Sequence, residues 1–210
     1  MTAARRGSAR KPLSRSRKGQ GSGAREKLIH AAIKAFAEKG YHGTKISDIV
    51  AGAGYTQPTF YLHFSSKQAI YQYLIDRVRT ELREVISGAR ISAVSPMTDV
   101  REKLNAAIRA FLQYFVDNPN LASIGYFDLE RNAGLRDEII ALVSRNIAFE
   151  QGAGYCRTDL DPVFLSECYN GSLERLIRVY LLTGKLDASA LAEKIADLYG
   201  YGTIPDRARS

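Results

Sequence analysis

The run Thr56-Gln57-Pro58-Thr59-Phe60-Tyr61-Leu62-His63-Phe64 concentrates side chains suited to one kind of chemistry. Gln57 brings a carboxamide that donates and accepts at once, Thr59 a hydroxyl with a methyl, Tyr61 a phenol. These are the groups that read base edges in a DNA major groove, where each base pair presents its own pattern of donors, acceptors and methyls. Phe60 and Phe64 stand four residues apart, so on a helix they share a face and anchor it to a core. Thr44, His63 and Lys67 flank the run with the donors that hold phosphates. The bland alternative is an exposed helix whose polar residues face only water.

Other chemistries find little support. The three histidines are His30, His42 and His63, and none stands in a Glu-x-x-His or paired-cysteine spacing. No metal site and no cofactor are therefore expected. Cys156 and Cys168 have no CxxC spacing and are too few for a disulfide framework, so both are expected as reduced thiols. A Gly-x-Ser-x-Gly elbow is absent, and Gly52-Ala53-Gly54 falls between two helical patterns rather than after a strand. The expectation is a non-enzyme.

The elements that must position these residues are helical. Leu28, Ile29, Ala32, Ile33, Phe36 and Ala37 form one apolar stripe, predicting a helix from about Arg25 to Lys39 with Gly40 as its left-handed cap. A second helix is expected from Thr44, as cap, with Ile46, Ile49 and Val50 inward. A third runs from Thr56, its cap, to about His63, with Pro58 in the first turn. Ser65 and Gln68 fit a capping box that opens a long helix to about Ser87. Two short helices joined by a small-residue turn, with another packed across them, make a helix-turn-helix. Further helices are expected at about 99–117, 121–131, 135–149, 162–182 and 187–199, with Gly134 dividing the third from the second.

Charge is segregated. Eight of the 30 basic residues lie within residues 1–25, which hold no acid, leaving 22 basic residues against 22 acidic ones in the rest. Residues 1–24 read as a disordered basic arm that favours nucleic acid or another anionic surface; an inert linker is the alternative. No apolar run reaches the length needed to span a bilayer, and no apolar stretch follows the basic start. These features point to the cytoplasm and away from a membrane partner.

The segment from Ala35 to Leu74 resembles the DNA-binding domain of TetR-type transcriptional regulators. The resemblance is carried by Phe36-Ala-Glu-Lys-Gly40-Tyr-His-Gly-Thr44, by Ile46-Ser-Asp-Ile49-Val-Ala51, and by Gly54-Tyr-Thr-Gln-Pro-Thr-Phe-Tyr61-Leu-His-Phe64-Ser-Ser-Lys67. It implies that Gln57, Pro58, Thr59 and Leu62 face base edges, and that Thr44, Thr56, Tyr61, His63 and Lys67 face phosphates. A leucine at position 62 offers only apolar contact, so it would favour thymine methyls.

The same resemblance implies an all-α chain. A helix-turn-helix domain, about 25–70, would precede a helical ligand-binding and dimerisation domain, about 71–202, with a flexible tail at 203–210. It implies a homodimer through about 162–182 and 187–199, an inverted-repeat operator in double-stranded DNA, and a small-molecule effector. The aromatic residues Phe111, Tyr114, Phe115, Tyr126 and Phe149 are the expected pocket, with Arg109, Glu130 and Arg131 as polar candidates. Taken singly, each aromatic is as readily explained as core. Two other readings stay open on the residues: a helical enzyme or ligand-binding module without specific DNA recognition, and a constitutive nucleic-acid-binding protein driven by the arm.

Overall fold

The computed structural model describes residues 18–91 and 96–203, and every regular element in them is a helix. The first, α1 (Lys18–Gly43), buries Leu28, Ile29, Ala32 and Phe36. It begins before Arg25, so residues 18–24 of the expected basic arm are helical rather than disordered. The expected disorder of the preceding residues, and of those after Thr203, lies outside the described residues. Gly40 takes φ 68° and ψ 172°, which swings the chain out of the helical path before a last turn, Tyr41–Gly43. That conformation is open to glycine and costly for other residues.

Helices α2 (Ile46–Ala53) and α3 (Gln57–Tyr61) follow. Lys45, not Thr44, is the residue that caps α2; Asp48 reaches back to accept from the Lys45 amide at 2.8 Å. Lys39 donates to the same carboxylate at 2.9 Å, and this partner holds the Asp48 carboxyl below the usual carboxylate range. The α2–α3 turn is a Schellman arrangement: Gly54 (φ 72°) donates to the Ala51 carbonyl at 3.2 Å and Tyr55 to that of Val50 at 2.8 Å.

Helix α4 (Lys67–Gly88) is capped by Ser66, whose Oγ accepts from the Ala69 amide at 3.0 Å. The cap therefore sits one residue later than the Ser65 expected from the sequence. Ile70, Leu74, Val78, Leu82 and Ile86 line the buried side of α4, and the apolar core runs through them from Leu28 in α1 to Ile195 near the chain's end.

The second domain comprises α5 (Val100–Asp117), α6 (Pro119–Gly125), α7 (Leu129–Gly152), α8 (Pro162–Leu176) and α9 (Ala188–Thr203). Asn118-Pro119 separates α5 from α6, with Pro119 in the first turn. The break expected at Gly134 falls instead at Asn132 (φ −122°, ψ 30°), inside α7. The Asn132 side chain donates to the Ile124 carbonyl at 2.9 Å, fixing the bend from the side. Asp161 caps α8 and accepts from Phe164 N at 2.9 Å; Asp187 precedes α9 and accepts from Ala190 N at 2.8 Å. A π turn, Ile177–Leu181, continues α8.

Helix α9 packs along α5, α8 along α7, and α6 wedges between α1 and α4. The α6–α4 approach is close: a Cβ on Gly125 would stand 2.7–3.0 Å from the Val78 side chain. No described helix is long and apolar enough to cross a membrane.

Candidate nucleic-acid interface and ligand cavity

Helix α3 is too short to be stable alone and depends on what it packs against. Phe60 is fully buried and Phe64 nearly so, with ring centroids 5.9 Å apart. Arg25 of α1 lays its guanidinium 5.2 Å from the Phe64 ring centre and 4.4 Å from that of Tyr73, tying α1 to α4 beside α3. The other side of α3 is open. Thr56, Gln57 and Pro58 are exposed, Thr59 and His63 half-buried, Tyr61 55% exposed and Leu62 81% exposed. A leucine this bare has no packing role in the monomer. Thr56 caps α3 with its backbone only, and its hydroxyl stands 3.4 Å from that of Thr59.

Two of the expected phosphate-facing residues are engaged inside the protein. Thr44 is fully buried, and its hydroxyl donates to the carbonyls of Gly40 at 2.8 Å and Ala35 at 3.0 Å. Its amide donates to Gly40 O at 3.2 Å, so neither donor is free for a phosphate. Thr44 closes the bend at Gly40 instead. Lys67 donates to Tyr41 O at 2.7 Å and Thr44 O at 2.8 Å, and its ammonium lies 4.4 Å from the Tyr41 ring centre. An ammonium has three donors, so one remains beyond these two.

Tyr41 also meets the second domain. Arg131 of α7 lies 4.4 Å from the same ring centre and contacts His42. Tyr71 of α4 donates to Asp128 at 3.2 Å. Tyr41 thus receives a cation from each domain, an arrangement of the kind worth about 0.5–1 kcal/mol per contact at exposed sites.

The second domain holds a cavity of about 140 Å³. Val85, Ile86 and Ala89 at the end of α4 form one wall. Leu104, Ile108 and Phe111 of α5 and Ile139, Val143 and Ile147 of α7 form others. Helices α8 and α9 close it with Leu173 and Ile195. Its few polar members are Asn146, whose amide is taken by the Ile86 carbonyl at 2.9 Å, and Asn170, Glu150, Tyr169 and Tyr199.

Residues 28–74 match the model of the bacterial regulatory proteins of the tetR family. Over 188 residues the chain is 32% identical to the uncharacterized HTH-type transcriptional regulator YdgC of Bacillus subtilis (strain 168), covering 90% of this chain and 96% of that protein. The chain belongs to the tetR family. It is a helix-turn-helix, DNA-binding transcriptional regulator. Two solved structures share its fold. SmeT, the repressor of the Stenotrophomonas maltophilia multidrug efflux pump SmeDEF, aligns with a TM-score of 0.69 at 18% identity, covering 88% of this chain and 92% of that one. The fatty acid degradation regulator FadR from Bacillus halodurans aligns with a TM-score of 0.67 at 22% identity, covering 84% and 94%.

In this tetR-family regulator the expected aromatic pocket is mostly core. Of the five residues, only Phe111 lines the cavity. Phe115 is fully buried and packs edge-on against Phe111, Tyr114 and Tyr126. Tyr126 is buried with its hydroxyl on Asn170 at 2.9 Å, and burial pushes that phenol well above its ordinary pKa. Tyr114 is buried against α4, and Phe149 lies partly exposed under the Arg90 guanidinium. Arg109 is exposed, Arg131 serves the domain joint, and the side chain of Glu130 lies outside the described residues. The cavity is walled chiefly by aliphatic residues, which the sequence offers everywhere on inward helix faces. Glu150, a single carboxylate at the end of one apolar stripe, was the signal that could have marked it.

Proposed function

We propose that the protein is a dimeric repressor that holds an inverted-repeat operator and releases it when a small, mainly apolar molecule occupies the second-domain cavity. The observation that carries this reading is the path of α4: it starts beside Phe64 of the reader and ends with Val85 and Ile86 in the cavity wall. Whatever displaces that wall acts on the element that holds the reader. In a two-fold dimer both readers must meet successive grooves, so a change in their spacing lowers affinity. A tenfold release requires about 1.4 kcal/mol of differential ligand binding, inside the usual coupling range. The repressing sign follows SmeT, which is named a repressor.

Gln57, Pro58, Thr59 and Leu62 are the proposed base-facing set. Thr56, Tyr61, His63 and the spare donor of Lys67 are the proposed phosphate-facing set. The partner copy would dock on α8 and α9, where Phe164 (58%), Leu198 (65%) and Tyr201 (67%) are exposed. The protein acts where the chromosome is, in the cytoplasm, and the reading requires no catalysis.

Selection of bound fragments from a random DNA library tests the reader: a shared inverted repeat is expected, and fragments with no common sequence would overturn specific recognition. Thermal-shift screening followed by operator binding with each hit tests the sensor. Linkage demands that operator DNA weaken the ligand by the factor with which the ligand weakens the operator.

A further inference from the structure

The cavity has one charged group, and its placement is unusual. Ile139, Val143, Ile147 and Glu150 follow one another along a single face of α7. Eleven residue steps of helix lead from the first to the last, about 16 Å at ~1.5 Å per residue. The cavity is therefore elongated, aliphatic along its length, and acidic at the end nearest Ala89 and Ile91.

Glu150 is poorly served by the protein. It accepts a hydrogen bond from Ile91 N at 3.4 Å, a long one, and forms no ion pair among the described residues. The nearby guanidinium of Arg90 lies over the Phe149 ring, 4.4 Å from its centre. Burial raises the Glu150 pKa, and the Ile91 amide and the Arg90 charge offset only part of that rise. No other lining residue carries a formal negative charge. Asn170 accepts from the Tyr126 hydroxyl and Asn146 donates its amide to the Ile86 carbonyl, and both side chains are neutral, so neither balances the charge of an ammonium.

We infer that the cavity selects an elongated aliphatic monocation, an alkylamine-like molecule, with its ammonium on Glu150 and its chain along α7. This rests on the proposal that the cavity is the effector site, and it names the effector's class. The ammonium would supply the partner that the half-buried carboxylate lacks. An alkanoate of the same length would set like charge against Glu150, and a neutral alcohol would give one hydrogen bond without charge.

The test is calorimetric titration of the full-length protein at neutral pH with n-octylamine, 1-octanol and sodium octanoate. The amine is expected to bind at least about tenfold more tightly than the alcohol, and the alkanoate to bind least. Glu150→Gln should weaken the amine at least about tenfold and leave the alcohol within about twofold, so the alcohol reports that the cavity is intact. Ala107→Phe, in the cavity wall, should weaken amine and alcohol together.

The inference is overturned if octanoate binds as well as the amine, if Glu150→Gln leaves the amine-to-alcohol ratio unchanged, if amine binding survives Ala107→Phe while alcohol binding is lost, or if none of the three binds. Operator affinity is measured separately. An amine that binds through Glu150 without weakening operator binding supports the ligand class while removing the sensor reading.

Discussion

The hydroxyl of Thr44 and the carboxamide of Gln57 look interchangeable as donors in the sequence, yet the fold gives them opposite duties. Thr44 bonds two carbonyls inside the protein, while Gln57 stands exposed on α3. Thr44→Val should therefore lower unfolding stability by about 1 kcal/mol, the usual net worth of such a bond, while leaving base preference unchanged. Urea denaturation alongside binding to a panel of single-base operator variants checks both halves. Gln57→Ala should do the reverse, relaxing preference at one base pair at a cost of about 1–3 kcal/mol on the best site with stability unmoved. Residue types and spacing were enough to place a short helix with Phe60 and Phe64 inward and Gln57 outward, because nine consecutive positions combine anchoring rings with outward polar groups. They could not say which hydroxyl the backbone would claim, because that depends on the positive φ at Gly40. Glu150 carries a pH signature. Its folded pKa is raised, so folding favours its protonated form, and the charge is a burden on stability above that folded value. Glu150→Gln should raise the melting temperature of the ligand-free protein at neutral pH. That advantage should shrink as pH falls through the raised value and vanish below the ordinary glutamate range, where both states of the wild type are protonated. An advantage independent of pH would contradict this.

Among elements, the helix pairs were legible where caps are unambiguous: Pro162 after Asp161, Pro119 after Asn118, Gly54 between α2 and α3. They were less so where two serines adjoin, as at Ser65 and Ser66, or where a bend is fixed from the side, as at Asn132. The cavity was the least legible feature. Periodicity tells which side of a helix turns inward, but not whether that side meets another side chain or a void, so Phe115 and Phe111 read alike. The α6–α4 contact yields a sharper expectation. Gly125→Ala forces a methyl into Val78, and with backbone on one side and a branched Cβ on the other, the two helices must part. A loss of about 1–3 kcal/mol is expected from overpacking. Val78→Ala should relieve most of it, so the double variant should be more stable than the sum of the single changes implies. Melting curves of the four proteins measure this coupling, and strict additivity would show that the contact is slack.

For the whole molecule, the outward apolar residues of α8 and α9 make assembly testable. Phe164→Glu combined with Leu198→Glu should give a monomer by light scattering, folded by circular dichroism, with normal contacts to a half-site but sharply weakened binding to the full operator. A dimer surviving both changes would place the partner elsewhere. Gly125 and Val78 carry one more consequence. Val78 lies 11 residues from the start of α4 at Lys67 and ten from its end at Gly88, so this close contact with α6 falls at the middle of the helix. A stiff rod pivoting at its midpoint has two equal arms, here about 15–16 Å each at ~1.5 Å per residue. Movement at one tip would reappear undiminished at the other with its direction reversed. A ligand pushing Val85, seven residues from Val78, outward by about an ångström would swing Lys67, eleven residues away on the other side, and α3 beside it, by about one and a half ångströms the other way. Lengthening either arm, with a turn of helix inserted on one side of Val78, would change that ratio and so the gain of the switch.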